Sequence, residues 1–335
     1  MRKGKASIRK LFEIRESVLV LLIIIGAVVM SIISPIFLGI SNIKAIFLGL
    51  SVEATVAAAM TVLLVSGGLD LSIGSTMALT GVIACMCLKA GIPVVLSIVA
   101  GLLTGVLIGF ISGTIIAKWK INPFIVTLGM MQIVRGLVLI LANGVTIIDL
   151  PESFTVIGQG DVLGIQIPII VTIVIIIIFD VLLRKARFFR QNYYIGGNEK
   201  AAVMTGIKVN FVKVTNYMLV GMMAAVAGVM MSARLASASV NIGVGLEMKV
   251  ITACVIGGAS LAGGEGTVVG AFLGSLLMAM MVNALNLLGV DVYWQNVMTG
   301  VILIFAVVLD TVLKMRRENA VNMDRQEEMK DAEIA

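Results

Sequence analysis

Arg135 stands deep inside the apolar run 123–142, on one helical face with Thr127, Leu128 and Met131 and one turn from Gln132. A guanidinium at the centre of a membrane helix costs about 2.5–3.5 kcal/mol on insertion scales, so its presence needs a reason. Two readings stand. Arg135 and Gln132 line a path for a hydrophilic permeant, with Asn122 at the head of the same run. Alternatively, the guanidinium bonds a carbonyl of a neighbouring helix or Glu53, or snorkels to an interface. Glu53 is the one charge in the run 45–65 and the obvious counter-ion candidate. Asn283 and Asn286, followed by Gln295 and Asn296, make a second polar group that fits a path or helix-to-helix glue equally well.

Other chemistry is excluded by composition. The 335 residues contain no histidine, which removes His-based zinc sites, haem ligation and any Ser-His or Cys-His pair. Cys85, Cys87 and Cys254 all lie in apolar runs and read as small core residues, so no metal ligand set is expected. Paired carboxylates and a Gly-x4-Gly-Lys-Ser/Thr phosphate loop are also missing, and no catalytic residue is assigned. If ATP drives this protein, another chain binds the nucleotide and its magnesium.

Three glycine-rich stretches exceed what close helix packing requires. SGGLDLSIGS carries Gly67, Gly68 and Asp70; ASASVNIGVG spans 236–245; IGGASLAGGEG carries Gly257, Gly258, Gly263 and Gly264. Such stretches inside apolar runs mark tight packing or broken helices that line a cavity. Asp70 reads either as a cap for the following helix, together with Ser72, or as a gating group.

These residues must be held by membrane helices. Hydrophobic side chains make up 59% of the chain and charged ones 13%, with a mean hydropathy of +1.11, far above a soluble domain. With about 20 residues per crossing, the apolar content fits about ten spans. They are expected at Ser17–Leu38, Ala45–Val65, Ser72–Lys89, Pro93–Ala117, Pro123–Ala142, Gly164–Leu183, Val214–Leu235, Leu246–Leu261, Gly266–Leu288 and Val292–Leu313. The eighth is short and glycine-rich, hence broken or re-entrant. Residues 1–16 form a basic cytoplasmic start and 314–335 a charged cytoplasmic tail. With both termini inside, 20 of the 25 Lys and Arg fall on the cytoplasmic side and four (Lys44, Lys89, Arg234, Lys249) outside. The positive-inside rule favours that orientation. The 236–245 stretch follows 66–75 by an odd number of spans, so spans two to five and seven to ten are candidates for an inverted repeat. Few aromatic residues and this hydropathy argue for anionic lipid, not nucleic acid, as the partner of the +6 net charge.

The largest cytoplasmic insertion, 184–213, holds a candidate docking helix. Gly196-Gly197 break the chain, Asn198 caps, and Glu199–Thr205 make two turns closed by Gly206. Exposed Ala201, Ala202 and Met204 between basic flanks suit the groove of another protein. The same helix would also suit the inner lipid leaflet.

In order along 17–313, SGGLDLSIGS, KINPFIVTLGMMQIVRG, YYIGGNEKAAVMTGIKV, ITACVIGGASLAGGEGTVVG and NALNLLGVDVYWQ resemble the integral membrane permeases of ribose-type ABC sugar importers. That group also includes galactose, xylose and autoinducer-type transporters. The resemblance implies an all-α, type II importer-like permease that pairs with a second copy or a paralogue in the bacterial inner membrane. It further implies a cytoplasmic ATPase below and an extracytoplasmic solute-binding protein above, with 196–207 as the ATPase-coupling loop. The competing expectation is an ion-coupled secondary transporter using Glu53, Asp70 or Asp180.

Overall fold

The computed structural model describes residues 15–308 together with Thr311, Val312 and Met315; the expected basic start and charged tail lie almost wholly outside these. The described residues are mostly helical: α1 Arg15–Ile33, α2 Ile40–Val65, α3 Ile73–Lys89, α4 Val94–Trp119, α5 Pro123–Leu141, α6 Glu152–Gln159, α7 Ile167–Lys185, α8 Arg187–Gly197, α9 Glu199–Met204, α10 Val209–Leu235, α11 Leu246–Ile256 and α12 Val268–Leu287. A final helix, α13, covers Val292–Val308. A two-stranded hairpin of Asp161–Val162 and Ile165–Gln166 sits between α6 and α7.

Among the described residues, seven helices (α1, α2, α4, α5, α7, α10, α12) are long and apolar enough to cross a membrane, and α3 and α13 are shorter apolar helices. Against the ten expected spans the difference lies in α3, α11 and α13. At about 1.5 Å per residue, α11 covers about half of a 30 Å hydrocarbon layer. The eighth span is therefore a half-helix.

α2 is the hub. From Leu50 to Val65 every residue except Glu53 is buried. A helix apolar all round must be enclosed, and the small side chains of its ATVAAAM stretch let neighbours approach on every side. α1 is the opposite case, with Leu22, Ile25 and Val28 exposed as a lipid-facing surface. α4 exposes Leu103, Leu107 and Phe110 and buries Gly101, Gly105, Gly109 and Gly113. A Cβ at Gly105 would run into the Gly221 carbonyl of α10, and one at Gly221 into the Gly105 carbonyl. The small-residue stripe therefore sets the α4–α10 distance.

One arrangement occurs twice. A long helix (α2, α10) passes into a non-helical segment (66–72, 236–245) and then a shorter helix (α3, α11). The copies run in opposite senses. Asn216, early in α10, bonds Ser66 past the end of α2, while Arg234, late in α10, reaches the Leu48 carbonyl in the first half of α2. α2 and α10 are thus antiparallel, which an inverted repeat of spans two to five and seven to ten requires of this one pair.

Candidate functional site

The two broken helices meet tip to tip. A Cβ on Gly74, in the first turn of α3, would overlap the Gly243 carbonyl, and Gly243 itself has φ +76°. Only glycine fits both demands. Each helix N-terminus carries about half a positive charge from its unpaired N–H groups, so the two tips repel. Glu247 stands between them. Its Oε2 lies 2.7 Å from the point where a Gly74 Cβ would be, and the N–H groups of Gly245 and Glu247 donate to it.

Arg135 secures the same segment from α5. Its Nη1 donates to the carbonyls of Val240 at 2.7 Å and Ile242 at 3.1 Å, and its charge attracts Glu247. Arg135 thus makes the carbonyl bond of the second reading, to the non-helical 236–245 segment. Glu53 is not its counter-ion, because its Oε1 lies 3.7 Å from Lys249 Nζ on α11. A helical turn of α11 puts Glu247 and Lys249 on different faces, so one carboxylate serves Arg135 and the other cation serves Glu53.

Beside that pair, about midway along α2, lies a cavity of about 180 Å³ whose lining includes Glu53, Met77, Met231, Arg234, Gly243 and Lys249. Glu247, Lys249 and Arg234 were not site candidates in the sequence, where both cations were assigned only to the outer side. The available signal was the LEMK tetrad opening an apolar stretch. In the 66–72 segment Asp70 and Ser72 are buried, and Asp70 Oδ1 accepts from the Ser72 N–H at 2.8 Å and its hydroxyl at 2.6 Å. Asp70 thus closes the turn before α3, whereas Ser72 makes no side-chain cap of its own. Gly67 has φ +78°, and Gly68 packs against Leu63 and Tyr217.

The remaining path candidates are scattered. Asn122 is exposed and caps α5 by accepting from the Phe124 N–H. Gln132 is exposed. Asn283 forms a reciprocal amide pair with Asn42 of α2, at 2.8 and 3.0 Å, and Asn286 accepts from Gln295 at 2.8 Å. Both asparagines hold helices together.

A second site forms at the Val65 end of the bundle. Gly196-Gly197 are the last two residues of α8, and the helix is interrupted immediately after them at Asn198. Gly196 is needed because a Cβ there would strike the Val65 carbonyl and the Gly264 N–H, which themselves bond at 2.9 Å. Gly263, at φ +87°, packs against Gly196 and Gly67. Asn216 of α10 donates to Asn192 of α8 and to Ser66, and Tyr193 donates to the Gly266 carbonyl at 2.7 Å. The ends of α2 and α8 and the 257–267 segment are thus stitched into one block. Within that last segment, Gly257 packs on Gly270 of α12, and Gly258 turns at φ +92°.

α9 projects from this block. Asn198 Oδ1 accepts from the Ala201 N–H at 3.0 Å, Gly206 at φ +84° ends the helix, and Glu199 pairs with Lys213 at 2.7 Å. Ala201, Val203 and Met204 are exposed. Ala202 is not: it is buried against Ile195, Val209 and Val212, because two turns of helix need an anchor on their inner side.

An apolar helix bundle, interrupted at mid-depth beside a charged cavity and bearing a helical arm at one end, is the build of a multi-pass transport permease. The chain belongs to the family described as branched-chain amino acid transport system / permease component, whose model matches residues 42–307. The ribose import permease protein RbsC of Bacillus subtilis is 40% identical over 84% of this chain and 88% of its own length. The L-arabinose ABC transporter permease protein AraH of Azospirillum brasilense is 38% identical over 91% and 90%. RbsC of Escherichia coli is 36% identical over 92% and 97%. No solved structure gives a significant match.

Proposed function

We propose that the chain is the non-catalytic permease subunit of an ABC importer that carries a ribose-like monosaccharide across the bacterial inner membrane, with both termini cytoplasmic. The observation that carries this reading is the contact of Gly196 with Val65 and Gly264. It ties the end of α8, one residue of extended chain from α9, to the end of α2 and to the 257–267 segment, so a push on α9 is passed through α8 to both. ATP and magnesium are handled by a cytoplasmic ATPase whose groove receives α9. A solute-binding protein delivers the sugar from outside, and a second copy or a paralogue completes the path. The sugar class is carried over from the ribose and arabinose relatives.

The ion-coupled reading is weaker because its three carboxylates are engaged. Glu53 faces Lys249, Asp70 accepts from Ser72, and Asp180 pairs with Arg184 one turn on. The test is reconstitution in vesicles with and without the ATPase and binding protein, measuring uptake of D-ribose and L-arabinose. ATP-dependent uptake that needs both partners is expected; uptake driven by an ion gradient alone would overturn the proposal.

A further inference from the structure

The cavity beside Glu53 has a chemistry that helix packing does not require. Its charged groups come from three helices: Glu53 from α2, Arg234 from α10 and Lys249 from α11. The Glu53–Lys249 separation of 3.7 Å exceeds the 2.7–2.9 Å of a full charge-assisted hydrogen bond. Both groups therefore keep unfilled hydrogen-bonding directions. Arg234 uses one nitrogen on the Leu48 carbonyl and has further N–H donors to offer. Met77 and Met231 supply a deformable apolar floor, and Gly49 leaves one wall open.

We propose that this cavity is a binding station for a neutral polyhydroxylated solute, held by the Glu53 carboxylate and the Lys249 and Arg234 cations. The proposal rests on the importer reading and names its site. One hydroxyl of a vicinal diol donates to Glu53 while its neighbour accepts from Lys249 or Arg234. The methionines meet the C–H face. A diol slots into the loose ion pair without separating its charges, whereas a zwitterionic amino acid would have to pull Glu53 and Lys249 apart in a poorly solvated place. The position also suits a station: it lies about midway along α2, at the tip of half-helix α11, where broken helices leave irregular backbone lining a cavity.

The test places a thiol in the cavity. A Cβ at Gly49 meets nothing within 4 Å, so Gly49→Cys is tolerated by the fold; Cys85 and Cys254 are buried, and Cys87→Ser removes the remaining partly exposed thiol. The variant is assembled with its ATPase and binding protein, and its reaction with a small methanethiosulfonate is timed without turnover. D-ribose or L-arabinose at about ten dissociation constants should slow the reaction about tenfold by mass action, and adding Lys249→Met should abolish that protection. Equal rates with and without sugar overturn the proposal. So does protection by leucine in place of sugar, or a thiol that never reacts. Because no transport is measured, these outcomes are separate from a failure of ATP-driven uptake, which would bear on the importer reading alone.

Discussion

The backbone N–H of Gly264 donates to the carbonyl of Val65 at 2.9 Å, and the α-carbon of Gly196 is wedged against both groups. Three segments far apart in the sequence therefore share one point of backbone contact with no side chain between them. In the proposed importer, this contact is the route by which a push on the six-residue α9 enters the bundle.

Gly196→Val forces a side chain into this contact. Overpacking of this kind costs about 1–3 kcal/mol. A lowered melting temperature in detergent and loss of ATP-driven uptake are expected. Gly197→Ala is the control, because a Cβ there meets nothing within 4 Å; a matching loss in that variant would show that the contact is not the cause.

The two alanines of α9 should separate. Ala202→Glu buries a carboxylate against Ile195, Val209 and Val212, at a penalty of several kcal/mol, and should unfold the arm. Ala201→Glu leaves the arm folded but alters the exposed face. It should weaken co-purification of the ATPase while the thermal transition moves by less than the Ala202 variant's.

Arg135→Met strands the carbonyls of Val240 and Ile242, for a loss of about 1–3 kcal/mol. Proteolysis or hydrogen exchange of 236–245 should then accelerate. Arg135→Lys retains the charge that faces Glu247 and should fall between wild type and Met. Identical behaviour of Lys and wild type would mean that charge, not the paired carbonyl bonds, holds the segment.

Asn283→Leu leaves Asn42 half-bonded, and interhelical bonds of this type are worth about 0.6–1.7 kcal/mol. The double variant Asn42→Leu with Asn283→Leu should recover part of that loss in thermal unfolding, since neither polar group then remains stranded.

Much of this architecture was legible in the sequence. The long helices follow from uninterrupted apolar runs, and the docking helix followed from Asn198 and Gly206, two residues whose capping chemistry is local. The short α11 was signalled by the glycines that flank it, Gly245 before and Gly257 and Gly258 after. Partners across helices were not legible. Nothing in the spacing of Glu53, Arg135, Glu247 and Lys249 says which carboxylate meets which cation, because that depends on the rotation of α11 against α2 and α5. Similarly, the burial of Ala202 depends on Val209 and Val212, which lie on another helix. For Asn283 and Asn286 the sequence left path and helix glue equally open, because amides bond solutes and helices with the same groups.

The Asn42–Asn283 pair has a consequence of another kind. Two carboxamides that bond each other face to face carry no proton to gain or lose and no net charge for salt to screen. The seam between α2 and α12 is therefore indifferent to the acidity and ionic strength of the medium. It acts as a fixed rivet beside a bundle whose charged pairs, such as Glu53 with Lys249, do depend on both.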